Sequence, residues 1–166
     1  MSSQMQNRVL AIDPGYERIG ISILEKKDGE KEKLLYSSCF TTEKTLPHSE
    51  RLALVGTELD RVIDKFKPEA LAVETLFFSK NTKTALKVAE ARGVILYTAA
   101  RKGLEIKEFS PADIKIAVTG YGKSDKSQII AMVPRLIEIK NKVRFDDEFD
   151  AIAAGITYFA TKKRLD

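Results

Sequence analysis

The chain has 166 residues, 43% of them hydrophobic and 31% charged, with 28 Lys and Arg against 24 Asp and Glu, a net charge of +4 and an isoelectric point of about 9.1. That size and balance fit one globular domain over residues 1–166, with residues 1–7 as a flexible extension, and the mild positive charge permits a nucleic-acid partner without requiring one. The single cysteine, Cys39, and single histidine, His48, exclude an internal disulfide, a Cys-rich zinc site and a multi-histidine metal site within the chain.

A Ser-His-Asp triad would have to use His48, whose polar, proline-containing surroundings read as the start of a helix. Chemistry therefore falls to carboxylates, lysines, hydroxyls or backbone. No apolar run reaches the ~18 residues of a spanning helix. The polar start, Met1 to Arg8, has no apolar signal region. The expected location is the cytoplasm, with no membrane partner.

In chain order, Arg8 to Asp13 is a short apolar run closed by Asp13-Pro14-Gly15, a buried strand ending in a turn. Ile19 to Leu24 is a second strand. A charged hairpin tip, Lys26 to Lys31, leads to a third at Leu34 to Thr42, and short loops between the three predict an antiparallel meander. The period then changes. Leu52, Val55, Leu59, Val62, Ile63 and Phe66 recur at spacings of three and four, one face of an amphipathic helix over Pro47 to Phe66 that Pro68 ends. Ala70 to Val73 is a fourth strand, closed by Glu74. Thr82 to Lys102 reads as a long helix with Ala85, Leu86, Val88, Ala89 and Ile95 on its apolar side. Glu105 to Phe109 is a fifth strand, Ser110-Pro111 is a helix-start signal, and helices follow at about 111–118, 126–140 and 148–163. The fold class is α/β, a mixed five-stranded sheet flanked by helices.

Asp13 and Glu74 both close apolar strand sequences. A buried unpaired carboxylate is expensive, so each needs a role: a turn or cap for Asp13, a salt bridge for Glu74, or a shared function. A third group, Asp146-Asp147-Glu148-Phe149-Asp150, starts the last helix, where acids meet the helix dipole favourably. Asp147 and Asp150 share one helix face, and Asp150 borders the buried side marked by Ile152, Ala153, Ile156 and Phe159. Strand-end acids plus a helical pair match the needs of a two-metal site, in which hard cations take oxygen ligands and clamp the attacking and leaving oxygens of a phosphodiester.

These residues resemble the RuvC-type Holliday junction resolvases. The likeness is carried by Ile12-Asp13-Pro14-Gly15, Gly20-Ile21-Ser22, Val73-Glu74-Thr75-Leu76-Phe77-Phe78, Lys80-Asn81, Ala85-Leu86-Lys87 and Glu90-Ala91-Arg92-Gly93-Val94. It continues through Ser110-Pro111-Ala112-Asp113-Ile114-Lys115, Gly120-Tyr121-Gly122, Asp125-Lys126 and Asp147-Glu148-Phe149-Asp150-Ala151-Ile152-Ala153, in order, from Val9 to about Phe159. The resemblance implies a ribonuclease H-like fold, a homodimer, and a nuclease that cuts four-way junction DNA with Mg²⁺, two ions per site, for which Mn²⁺ can substitute. It also implies a branch-migration helicase complex as partner and a bacterial, nucleoid-associated location.

By position, Asp13, Glu74, Asp147 and Asp150 match the catalytic metal-binding acids of the family. The third is the variable one, and Asp146 competes with Asp147 for it. Phe77 matches an aromatic that stacks on unpaired junction bases, with Phe78 on the opposite, buried side. Lys80, Lys115 and Lys126 match DNA-contacting positions, where lysines add salt-dependent affinity without sequence reading. Residues 1–7 extend the start beyond the usual strand, Tyr16-Glu17-Arg18 and the Lys-rich 123–126 segment are not diagnostic, and Lys162-Lys163-Arg164 complements a helix C-terminus.

Three other readings compete. Ala117 to Ser124 nearly matches a phosphate-binding loop, but it follows a helix signal where a strand is required. An actin-like ATPase needs two such domains. A related nuclease with another structured substrate, or a member that only binds DNA, stays within the fold. Base–aromatic stacking is worth about 1–3 kcal/mol per base, so Phe77→Ala is expected to slow junction cleavage at least several-fold while leaving metal binding intact, measured by single-turnover cleavage beside a metal-binding isotherm.

Overall fold

The computed structural model describes residues 7–76 and 82–162. Strands β1 (Asn7–Asp13), β2 (Arg18–Lys26) and β3 (Lys33–Thr41) form an antiparallel meander. On its other side β1 pairs in parallel with β4 (Ala70–Glu74), and β4 with β5 (Glu105–Phe109), giving the sheet order β3-β2-β1-β4-β5. Helices α1 (His48–Phe66) and α2 (Thr82–Arg101) cover one face. Helices α3 (Pro111–Thr119), α4 (Lys126–Leu136) and α5 (Asp146–Lys162) cover the other.

The period-2 alternation of strands sorts the core onto these two faces. Leu10, Ile12, Leu71 and Val73 point to α1 and α2, while Val9, Ala11, Ala70 and Ala72 point to α5. Each large aliphatic buried this way contributes roughly 1.5–3 kcal/mol. Local chemistry fixes the helix ends. Ser110 and Asp113 form a reciprocal capping box with Pro111 in the first turn of α3, and Asp125 with Gln128 does the same for α4.

Several boundaries and faces differ from the sequence expectation. Helix α4 stops at Leu136 rather than 140: Pro134 brings no amide hydrogen to the last turn, and Ile137 turns extended. The chain then lies along the start of β3, where the Leu34 N–H donates to the Glu138 carbonyl at 3.0 Å and the Glu138 N–H to the Glu32 carbonyl at 2.9 Å. Helix α5 starts at Asp146, two residues early. On α2, Leu86 is exposed, because burial runs along Ala85, Ala91, Ile95 and Ala99. On α1 the buried set includes Arg51, whose guanidinium lies over the Tyr16 ring and donates to Thr42 and the Tyr16 carbonyl. Lys162, in the last turn of α5, pairs with Glu69 and Asn7.

Helix α5 is buried on every side from Ala151 to Phe159, and it lies close against β1 and β2. Two glycines permit this. A Cβ on Gly20 would stand 1.9 Å from the Asp147 carbonyl oxygen, and one on Gly155 would stand 2.8 Å from Leu24 and 3.3 Å from the Ala11 methyl. Gly20→Ala is therefore expected to lower stability by about 1–3 kcal/mol or more. Gly93→Ala, where a methyl meets nothing within 4 Å on α2, should be neutral or stabilising by up to about 1 kcal/mol. Chemical denaturation midpoints of the two variants test the contrast.

Candidate active site

The β1–β4 register pairs Ile12 with Val73, so the next residues, Asp13 and Glu74, stand side by side at the C-terminal ends of adjacent parallel strands. Crevices at such strand ends are where open α/β sheets bind ligands. On the opposite edge of β1, Asp13 pairs with Gly20, and Gly20 is the residue on which the Asp147 backbone rests. The first turn of α5 is thus set down beside Asp13. It carries Asp147 and Asp150 on one face.

The charges of these groups act on one another. Asp13 is pushed up from 3.8 to about 8, first by burial and then by the negative charges of Asp150, Glu74 and Asp147, against a smaller opposing effect of Lys126. Burial and then Asp150 push Glu74 up, with Lys115 and Lys126 opposing. Burial also raises Asp150, offset by its hydrogen bond from Lys126. The Lys126 ammonium is 3.0 Å from Asp150, and the Arg18 guanidinium is 2.8 Å from Asp147. Asp147 is among the charges that raise Asp13, and Asp146 is the more exposed of the two, 4.0 Å from Lys126.

An all-oxygen, carboxylate-rich set that holds one of its own members protonated near neutral pH fits a hard divalent cation. Among the described residues no three His, Cys, Asp or Glu side chains converge closely enough to hold one ion as they stand. Asp147 and Asp150 are paired with Arg18 and Lys126.

Lys115 on α3 and Lys126 on α4 line a cavity of about 300 Å³ with Glu74 and Asp150. A neighbouring cavity of about 230 Å³ is bounded by Asp13, Glu74, Thr75 and Pro111. Phe77 and Lys80 lie outside the described residues. His48 is the first residue of α1, where its Nε2 is 2.8 Å from Glu90 and its ring packs near Tyr16. Gly120 to Ser124 follow a helix, so no phosphate-binding loop is built there.

Several interactions were not anticipated from sequence. Arg18 Nε donates to Cys39 Sγ at 3.4 Å, and the Cys39 thiol lies 3.7 Å from Asp147. Arg92 donates to the Glu74 carbonyl at 3.2 Å and pairs with Glu108 at 2.7 Å, holding the end of β4. Glu148 is buried, and its carboxylate accepts from the Ser37 hydroxyl at 2.7 Å and from the Arg144 and Phe145 amides at 3.2 and 3.0 Å. Arg92 and Glu148 carried a sequence signal, as parts of the Glu90-Ala91-Arg92 and Asp147-Glu148-Phe149 segments; Arg18 and Cys39 carried none.

Comparison with known proteins points the same way. Residues 9–158 match the family described as Crossover junction endodeoxyribonuclease RuvC. The protein of that name from Caldicellulosiruptor saccharolyticus is 41% identical over 158 residues, covering 95% of each chain. Its counterpart from Thermosipho melanesiensis is 42% identical over 148 residues, covering 89% of this chain and 94% of the other. Among solved structures, T. thermophilus RuvC in complex with Holliday junction substrate superposes with a TM-score of 0.88 at 29% identity, covering 95% of this chain and 96% of that one. A yeast mitochondrial Holliday junction resolvase shares the fold at 18% identity, with a TM-score of 0.71 and 96% and 81% coverage.

The raised Asp13 has a measurable consequence for stability. Between about pH 4 and 8 the folded state holds a proton that the unfolded chain has lost, so this contribution is full below about pH 4 and disappears as pH rises through 8. Asp13→Asn, which keeps the uncharged form, is expected to leave the melting temperature unchanged near pH 4 and to raise it by several degrees at pH 8. Thermal melts in chelator across that range measure the difference.

Proposed function

Because the chain belongs to the RuvC family of crossover junction endodeoxyribonucleases, we propose that it resolves four-way (Holliday) DNA junctions by paired symmetric nicks, with Mg²⁺ as cofactor, during homologous recombination and repair. The observation that carries the reading is that β1, β4 and α5 bring Asp13, Glu74, Asp147 and Asp150 near enough for their charges to act on one another. Likeness over nearly the whole chain to a T. thermophilus protein solved with a Holliday junction supports the substrate. The proposed location is the bacterial cytoplasm, at the nucleoid.

Asp13, Glu74, Asp147 and Asp150 would hold two Mg²⁺ ions, or Mn²⁺ in their place, which would supply the positive charge for activating a water and stabilising the leaving oxygen of an in-line displacement. Asp13 would ligate in its deprotonated form, and Asp147 and Asp150, now paired with Arg18 and Lys126, would share their charge with the ions. Lys115 and Lys126, which line the cleft with Glu74 and Asp150, would make salt-sensitive contacts to DNA phosphates that position the strand. Arg92 keeps Glu74 in place through its carbonyl. Phe77 and Lys80 complete the proposed contact set, with Phe77 stacked on an unpaired base. A two-fold homodimer would set two such sites against two opposed strands, matching the symmetry of the junction, and a branch-migration helicase complex is the proposed partner.

With Mg²⁺, the protein is expected to nick a mobile four-way junction and to leave matched linear duplex largely intact; equal cutting of both would remove the junction from the reading. Asp13→Asn should reduce nicking to background while junction affinity stays close to wild type. Comparable nicking by that variant would refute the metal role of Asp13.

A further inference from the structure

The acid cleft has two cationic sides, and the proposed function uses one of them. Lys115 and Lys126 lie on the α3–α4 side, next to Glu74 and Asp150. The sheet order places β2 and β3 on the other side of β1, and there Arg18 meets Asp147 at 2.8 Å while its guanidinium lies over the Phe145 ring, 5.1 Å from the centroid. Phe145 is a large apolar side chain left 46% exposed beside a charged cleft. Lys142 and Arg144 are also exposed. Many surface cations of this protein pair with carboxylates, including those at positions 33, 61, 101, 102, 107 and 162. Among the described residues Lys142 and Arg144 have no such partner.

This side is also built rather than loose. Residues 137–139 cover only the start of the β3 edge. Beyond it the chain diverges and leaves a groove of about 350 Å³ between Tyr36–Cys39 and residues 141–145. The groove meets the acid cleft at Cys39, whose sulfur is 3.7 Å from Asp147. Its far wall is fastened by Glu148, which accepts the Arg144 and Phe145 amides and the Ser37 hydroxyl and so locks the wall to β3. With that carboxylate buried and its hydrogen bonds satisfied, the outward charge of the wall is positive.

We propose that Arg18, Lys142, Arg144 and Phe145 form a second strand-binding bank, which carries the DNA strand past the cleavage position on the side of the cleft opposite Lys115 and Lys126. Lys142 and Arg144 contact phosphates, and Phe145 offers its exposed ring to an unpaired base. Arg18 joins this bank to the acids, able to move from Asp147 to a phosphate. The proposal rests on the junction-cleaving reading above.

The test is equilibrium binding of a fluorescent four-way junction in EDTA, as a function of salt, for the full chain and its variants. Removing one cation from a phosphate lowers the slope of log affinity against log salt by about 0.9. Lys142→Ala/Arg144→Ala is expected to weaken binding about tenfold or more at moderate salt and to lower that slope by about 1–2, with unchanged melting temperature and with recovery in Lys142→Arg/Arg144→Lys. Phe145→Ala should weaken binding roughly fivefold or more without changing the slope, as the removal of a stacking ring requires. Wild-type affinity and slope in both alanine variants would overturn the proposal. Failure of the unmodified protein to prefer and nick junctions would instead overturn the reading on which the proposal rests.

Discussion

Everything at the candidate site depends on how closely α5 approaches the sheet. Helices ordinarily pack on sheets through layers of side chains, but here the backbone of the first turn of α5 rests on Gly20, a position where even a methyl group would collide with a carbonyl. Further along, Gly155 meets Leu24 and Ala11 in the same way, and small residues on β1 and β4 (Ala11, Ala70, Ala72) keep the floor low. Because Gly20 is also the cross-strand partner of Asp13, the contact that docks the helix sets the separation of the strand-borne and helix-borne carboxylates. Packing and chemistry are fixed here by one pair of residues.

The resulting concentration of negative charge explains features that would otherwise look unrelated. Four acids in a partly desolvated cleft cannot all ionise without strong mutual repulsion, so Asp13, raised first by burial and then by the charges of Asp150, Glu74 and Asp147, keeps its proton to about pH 8. Two of the others are met by single cations from different elements, Arg18 from β2 and Lys126 from α4. A chain of net charge +4 thus gathers acids at one place, and its positive charge is correspondingly enriched elsewhere on the surface, including both sides of the same cleft.

The parts of this arrangement that were legible in the sequence are those written in local chemistry. The apolar run ending in Asp13-Pro14-Gly15, the three-and-four spacing of Val55, Leu59 and Val62, and the Ser110-Pro111 start each state an element within a few residues. The end of α4 was not legible, because apolar residues continue past Pro134 to Ile139 and only the pairing of Glu138 with β3 shows that the chain has become extended. Leu86 misled for a related reason: residues on one flank of an amphipathic pattern are buried only if a neighbour reaches them. The resemblance names Asp13, Glu74, Asp147 and Asp150 in chain order, while their electrostatic coupling is visible only in the fold. Arg18 on Asp147, Cys39 beside it, and Glu148 clamped between Ser37 and the 144–145 amides were not legible, since each joins segments that only the sheet order brings together.

The burial of α5 on all sides also bears on how the protein loses its structure. Helices at a protein's surface usually open locally, so their amides exchange with solvent at a small fraction of the cost of unfolding. From Ala151 to Phe159 this helix has no exposed face through which to open, and releasing it means dismantling the sheet beneath and the α3–α4 cover above. Asp147 and Asp150 therefore sit at the start of a helix whose buried length opens only with the core. On heating, the acid cluster should stay in register until the cooperative transition and then vanish with it, with no intermediate in which a loosened site outlives the fold.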